Sequence, residues 1–169
     1  FSYYPSVTLY QHFSKLQELF SYNDIGDSMA IIKFTTKEQE LLARLMRAEA
    51  VGEGNLGMLM VGNVVINRGI SDCLTFKNVN TISDVIYQKN QFSGVNSPLF
   101  FSNPTTKEKE LAGRVIRGEY FHPATNALRF YAPSGNDSCK NSWYNQSLAG
   151  RYKSHCFYKP DSGVCKALH

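Results

Sequence analysis

Glu49 is the residue best placed to do chemistry. Thr35-Thr36-Lys37-Glu38 has the form of a capping box, with Thr35 as N-cap and Glu38 reaching back from the third helical position. Leu41, Leu42, Leu45 and Met46 then share one helical face, and one further turn along that face is Glu49. A carboxylate on an apolar stripe is disfavoured as an anion, so its pKa should rise. A carboxylic acid still protonated near neutral pH can protonate a glycosidic oxygen, the first step in cutting a sugar chain. The plain alternative is a glutamate that turns outward to solvent. Gly52, Gly54 and Gly57 follow and predict a broken helix with space around its end.

Other candidates are less sharply defined. Glu53 is a substrate contact, a second catalytic carboxylate or a solvated loop acid. Glu119 ends the segment 105–119, which matches 35–49 at nine of fifteen positions, but Tyr120, Phe121 and Pro123 follow it instead of glycines. A shared cap and period account for this likeness, and no domain duplication is expected. His12, His122, His155 and His169 form no short metal-ligand pattern, and no CxxC pair exists, so no metal or cofactor is expected. Cys139 or Cys156 with His155 would suit a wall peptidase, although neither cysteine has an activating local signature. His155 alternates with Phe157 on a candidate strand, where a structural histidine is the simpler expectation.

These residues need positioning elements. A second helix, from about Leu56 to Arg68, carries little charge and should be enclosed, with Asn63 and Asn67 one turn apart and Gly69 as its stop. A short helix is capped at Thr81, Gln91 to Pro98 reads as a loop, and Thr105–Glu108 opens another capped amphipathic helix. Ala127–Tyr131 and His155–Tyr158 read as two strands of a small β-hairpin. The expected fold class is α+β, mainly α. Residues 1–34 form a helical arm packing on the body, with a stripe of Leu9, Phe13, Leu16 and Phe20, and residues 35–169 form the catalytic domain.

Composition narrows the function. The 169 residues are 43% hydrophobic and 19% charged, as in a globular domain and not a disordered chain. No apolar run reaches the ~18 residues of a membrane span. The net charge of +4 comes from dispersed Lys and Arg, which suits an acidic wall polymer better than nucleic acid. Aromatic residues make up 13%, enough for both a core and a sugar-stacking surface. Cys73, Cys139, Cys156 and Cys165 are either buried thiols or disulfides of an oxidising compartment. The chain starts at Phe1 without a methionine, the expectation for a processed or trimmed protein.

The run from Leu41 to Gly69 resembles the signature of SleB/CwlJ-type cell-wall hydrolases. Its parts are Glu49-Ala50-Val51-Gly52-Glu53, Gly57, the apolar Val61–Ile66, and Asn67-Arg68. Gln91-Phe92-Ser93, Asn126–Tyr131, Trp143 and His155–Tyr158 are similar to later family motifs, in order. Ala132 stands where the family often has Asn before Pro133. The resemblance implies a lysozyme-like, lytic-transglycosylase-like fold acting on peptidoglycan glycan strands at the cell wall. It implies Glu49 as catalytic acid, with Glu53, Gln91, Phe92, Ser93, Tyr131, Trp143 and His155 lining the cleft. A monomer is expected. Similar domains serve as phage lysins, which adds the expectation of a virion-associated lysin of the cystovirus type. A stem-peptide endopeptidase and a non-catalytic glycan-binding module are the rival expectations.

Overall fold

The computed structural model describes residues 29–169, and Ile31–His169 form one compact unit. The predicted stripe Leu9, Phe13, Leu16 and Phe20 lies outside the described residues. The Ile31 N–H donates to the Ile116 carbonyl at 2.9 Å, and Ile32 is buried.

Helix α1 spans Thr36–Ala50 and starts in the expected capping box, with Thr35 and Glu38 each satisfying the other's backbone N–H. Its face of Leu41, Leu42, Leu45 and Met46 is buried. A single 3₁₀ turn, Val51–Glu53, links it to α2, Gly54–Ser71. Gly54 has φ +78°, a left-handed conformation suited to glycine, and lets the chain reverse there. Helix α2 is buried from Gly57 through Gly69. It runs past Gly69, the expected stop. That glycine serves close packing, since a Cβ on it would stand 2.6 Å from Ile32 Cδ1. The left-handed residue that ends α2 is Asp72.

Helix α3, Ile82–Tyr87, is capped by Thr81. A 3₁₀ turn at Ser93–Asn96 lies within the region expected to be loop, and a short helix α4, Pro98–Phe101, begins where that loop ends. Helix α5, Thr106–Ile116, has the second capping box and packs on α1. Gln39 Nε2 donates to the Lys109 carbonyl at 2.9 Å, joining equivalent positions of the two similar segments.

The sheet is larger than the expected hairpin. Strands β1 (Arg129–Tyr131), β2 (Ser142–Trp143), β3 (Gln146–Tyr152) and β4 (His155–Lys159) form an antiparallel sheet in the order β1-β4-β3-β2. The two predicted strands do pair, with Phe130 opposite Phe157. Strand β3 escapes sequence patterning because it holds Gly150 and a register shift between Leu148 and Gly150. Phe157 packs with Met60 and Val64 of α2, so one face of the sheet closes the helical core.

The open question about the cysteines resolves as two disulfides, Cys73–Cys165 and Cys139–Cys156. The first closes a separation of 92 residues and the second one of 17. Loop entropy then favours the longer closure, at about 4.5 kcal/mol against about 3 kcal/mol. We expect paired Ser substitution of Cys73 and Cys165 to cost more stability than that of Cys139 and Cys156. Equilibrium urea unfolding of the two double variants checks this ranking.

Candidate active site

Glu49 sits in the last turn of α1, half-buried. The Gly94 N–H donates to its Oε1 at 2.6 Å. A Cβ on residue 94 would stand 2.6 Å from that same oxygen, so only glycine permits the approach. The chain just beyond Gly94 is held by Arg47, also on α1. Its guanidinium donates to the carbonyls of Leu99, Ser102 and Asn103 and pairs with Glu108 at 3.0 Å. A planar fork with several donors suits this role of gathering carbonyls.

Arg68 is the second group acting on Glu49, and it is only 3% exposed. Its guanidinium lies between the rings of Phe76 and Phe92, 4.6 Å from each centroid, and Nε donates to the Leu128 carbonyl at 2.7 Å. Burial, and the nearby Arg129 charge, lower the Arg68 pKa, while Glu49 raises it. At Glu49 burial dominates and pushes the carboxyl pKa up, against the Gly94 N–H and the Arg68 charge.

Glu53 is differently placed. It receives hydrogen bonds from the Ser154 amide, at 3.2 Å, and from the Ser154 hydroxyl. Burial opposes its ionisation, but these bonds, with His155 and Lys153 nearby, outweigh it and lower its pKa. Gly57 makes room for it, since a Cβ there would overlap the Glu53 side chain. Glu119 lies beyond the end of α5 and pairs with Arg114 at 2.5 Å, away from any such pocket.

The remaining predicted residues divide into two groups. Phe92, 5% exposed, packs on Phe130 at 6.3 Å, and Phe130 meets His155 at 5.1 Å. His155 is buried, with Nδ1 unpartnered, and burial lowers its pKa despite Glu53. Gln91 and Ser93 flank Phe92 with half-buried and exposed side chains, and Phe92 and Ser93 line a cavity of about 360 Å³. Phe92 is linked to Glu49 through Arg68, and His155 acts on Glu53. Tyr131 and Trp143 do not join them. Side chains alternate along a strand, so Tyr131 faces away from Phe130 and stacks on Tyr158 at 5.7 Å, with Trp143 beside it at 4.8 Å. Sequence inspection missed Gly94 and the depth of Arg68. A glycine following the Gln91-Phe92-Ser93 motif was the available signal.

This geometry suits proton donation by Glu49, whose pKa is raised, while Glu53, whose pKa is lowered, favours the carboxylate. A Cys–His nucleophile is excluded, because Cys139 and Cys156 are bonded to each other. Among the described residues no cluster of His, Cys, Asp and Glu could hold a metal ion, and no helix is long and apolar enough to cross a membrane.

The profile of the Cell Wall Hydrolase family matches residues 52–158. The chain belongs to this family. This cell wall hydrolase is 50% identical over 138 residues to the cell wall hydrolase CwlJ of Oceanobacillus iheyensis, covering 81% of this chain and 96% of that one. It is 43% identical to CwlJ of Bacillus subtilis over 141 residues, 83% of this chain and 98% of that one. A spore cortex-lytic enzyme of Bacillus cereus is 27% identical over 75% of this chain, which spans 46% of that protein. The catalytic domain of Bacillus cereus SleB superposes with a TM-score of 0.61 at 25% identity, covering 78% of this chain and 96% of that one. The fold is therefore lysozyme-like, and this cell wall hydrolase is a peptidoglycan-degrading enzyme. These relatives are bacterial wall enzymes, and nothing in them supports carriage in a virion.

A carboxyl whose pKa rises on folding holds its proton more tightly in the folded state. Its contribution to stability is therefore lost as pH climbs from the ordinary carboxylate range through the raised pKa. We expect Glu49→Gln to raise the melting temperature by a few degrees at pH 7, with the gain vanishing near pH 3. Thermal unfolding of both proteins across that range measures it.

Proposed function

We propose that this enzyme cuts the peptidoglycan glycan strand at the β-1,4 bond after N-acetylmuramic acid. It does so as a lytic transglycosylase with Glu49 as its one catalytic carboxyl. The observation that carries this reading is the half-buried Glu49 carboxyl, raised in pKa, with the Gly94 N–H on one oxygen.

Glu49 gives its proton to the bridging oxygen as the bond from that oxygen to the muramoyl C1 breaks. The departing sugar leaves with a new hydroxyl, and positive charge builds at C1. The Glu49 carboxylate then takes the proton of the muramoyl 6-hydroxyl as that oxygen bonds to C1. The product is a 1,6-anhydro end, Glu49 is again protonated, and no water is consumed. The Gly94 N–H and the buried Arg68 charge stabilise Glu49 while it is an anion.

Glu53 supports the single-acid route, because Ser154 occupies its carboxylate through both amide and hydroxyl. A hydrolase would need Glu53 or another base free to activate water. In this reading Gln91 and Ser93 contact the sugar, and Phe92 and His155 form the wall beneath it. The site of action is the bacterial wall.

Glu49→Gln should lower lysis of purified sacculi by about 100-fold or more. Near-wild-type lysis by this variant overturns the reading. Digestion in heavy-oxygen water separates the routes. Transglycosylation yields anhydro-muropeptides without the label, and hydrolysis yields labelled reducing ends. Free amino groups released from stem peptides would instead mark an endopeptidase.

A further inference from the structure

The outer face of the sheet carries an aromatic surface that the Glu49 site leaves unused. Tyr131 and Trp143 are half-buried there, over the fully buried Tyr158. The chain around Lys140 is pinned across them, since the Lys140 N–H donates to the Tyr131 hydroxyl at 3.1 Å and the Tyr158 hydroxyl donates to the Lys140 carbonyl at 2.9 Å. The Cys139–Cys156 disulfide ties the same segment to β4. The ring positions are thus set before any ligand arrives.

Tyr144 extends this surface. It is 63% exposed and meets Trp143 edge to face at 4.8 Å. Arg129 sits 4.0 Å from the centre of its ring on one side, which leaves the other side to solvent. Its φ is +50°, a left-handed conformation that a bulky residue rarely adopts, in the tight turn joining β2 to β3. Asn or Gly would form that turn with less strain. Lys140 and Arg151 flank the rings, both exposed. Arg151 donates only to the carbonyls of Lys153 and Asp137, and neither cation has a carboxylate partner among the described residues.

We propose that Tyr131, Trp143 and Tyr144, with Lys140 and Arg151, form a second carbohydrate-binding surface that holds an uncut stretch of peptidoglycan strand on the outer face of the sheet. Aromatic faces stack on the C–H faces of sugar rings. The unneutralised cations match the carboxylates that such a strand carries on its peptides. Strand alternation puts Tyr131 and Tyr158 on the face opposite Phe130 and His155. A second foothold on an insoluble polymer raises the local concentration of bonds near Glu49 without changing the chemical step. The proposal rests on the peptidoglycan-cleaving reading for its ligand.

The test measures binding apart from cutting. Glu49→Gln protein is pelleted with purified sacculi, with and without the further changes Tyr144→Ser and Lys140→Ser. We expect the changes together to weaken retention about tenfold, and Tyr144→Trp to preserve it. In the active enzyme they should raise the KM on sacculi and leave kcat on sacculi in place. Undiminished retention overturns the proposal. So does an equal loss of cleavage on a short soluble glycan, which would make this surface part of the cutting cleft. Equal loss of retention on sacculi stripped of stem peptides and on cellulose would also overturn it, by showing stickiness without recognition. Pelleting reads binding whatever bond the enzyme cuts, so failure of the Glu49 mechanism shows separately in the digestion products. Tyr144 and Lys140 are exposed, and circular dichroism confirms the fold of each variant.

Discussion

A helix enclosed on every side has to find partners for each polar side chain it carries, because an unpaired buried polar group costs on the order of 1–3 kcal/mol. Helix α2 meets most of this demand with the chain that follows α5, leaving Asn67 Oδ1 and Arg68 Nη1 without partners. Asn63 Nδ2 donates to the Glu119 carbonyl at 2.7 Å, and its Oδ1 accepts from the Phe121 N–H at 3.0 Å. Asn67 Nδ2 reaches the carbonyls of Ala124, Thr125 and Ala127. Arg68 takes the Leu128 carbonyl, the last residue before β1. Three side chains on one helix thus lay out a non-helical segment and deliver β1 to its place. The sheet, and everything it carries, follows from that path.

Arg68 links this scaffold to the chemistry. Its Nε fixes the backbone at Leu128, while its plane supports Phe92 and its charge acts on Glu49. Burying a cation this deeply is unfavourable by itself, and two aromatic faces and one carbonyl offset only part of the loss of water. The orphaned Nη1 shows that the compensation is incomplete. Such a charge is worth most where the dielectric is low, beside a carboxyl that must switch between neutral and anionic forms.

A second buried arginine does the equivalent work on the other side. Arg47 gathers the carbonyls of Leu99, Ser102 and Asn103 and pairs with Glu108, itself the reciprocal member of the α5 capping box. The chain from Gly94 to Asn103 holds only a 3₁₀ turn and the short α4, yet its backbone is anchored at two points on the last turn of α1, by Glu49 and by Arg47. This lets a single N–H, that of Gly94, be held against Glu49 without support from a long helix or a strand.

Local pattern was enough to locate both capping boxes, the apolar faces of α1 and α5, the enclosed α2, the strands β1 and β4, and Glu49 at the end of its stripe. Each depends on residues within a few turns of one another, where cap chemistry and periodicity act directly. Positive-φ turns and bulges conceal β2 and β3, because a two-residue strand and a glycine-bearing one show little alternation. Tertiary structure alone decided the rest. Spacing could not show whether the cysteines pair, since Cys73 and Cys165 meet only after the chain has folded. It could not show that Tyr131 and Trp143 face away from Phe130 and His155, because the face of a strand depends on what the sheet packs against. Nor could it show that Glu49 meets Gly94, since that contact spans 45 residues and depends on tertiary contacts on either side of Gly94, Phe92 against Arg68 and the Leu99 carbonyl against Arg47.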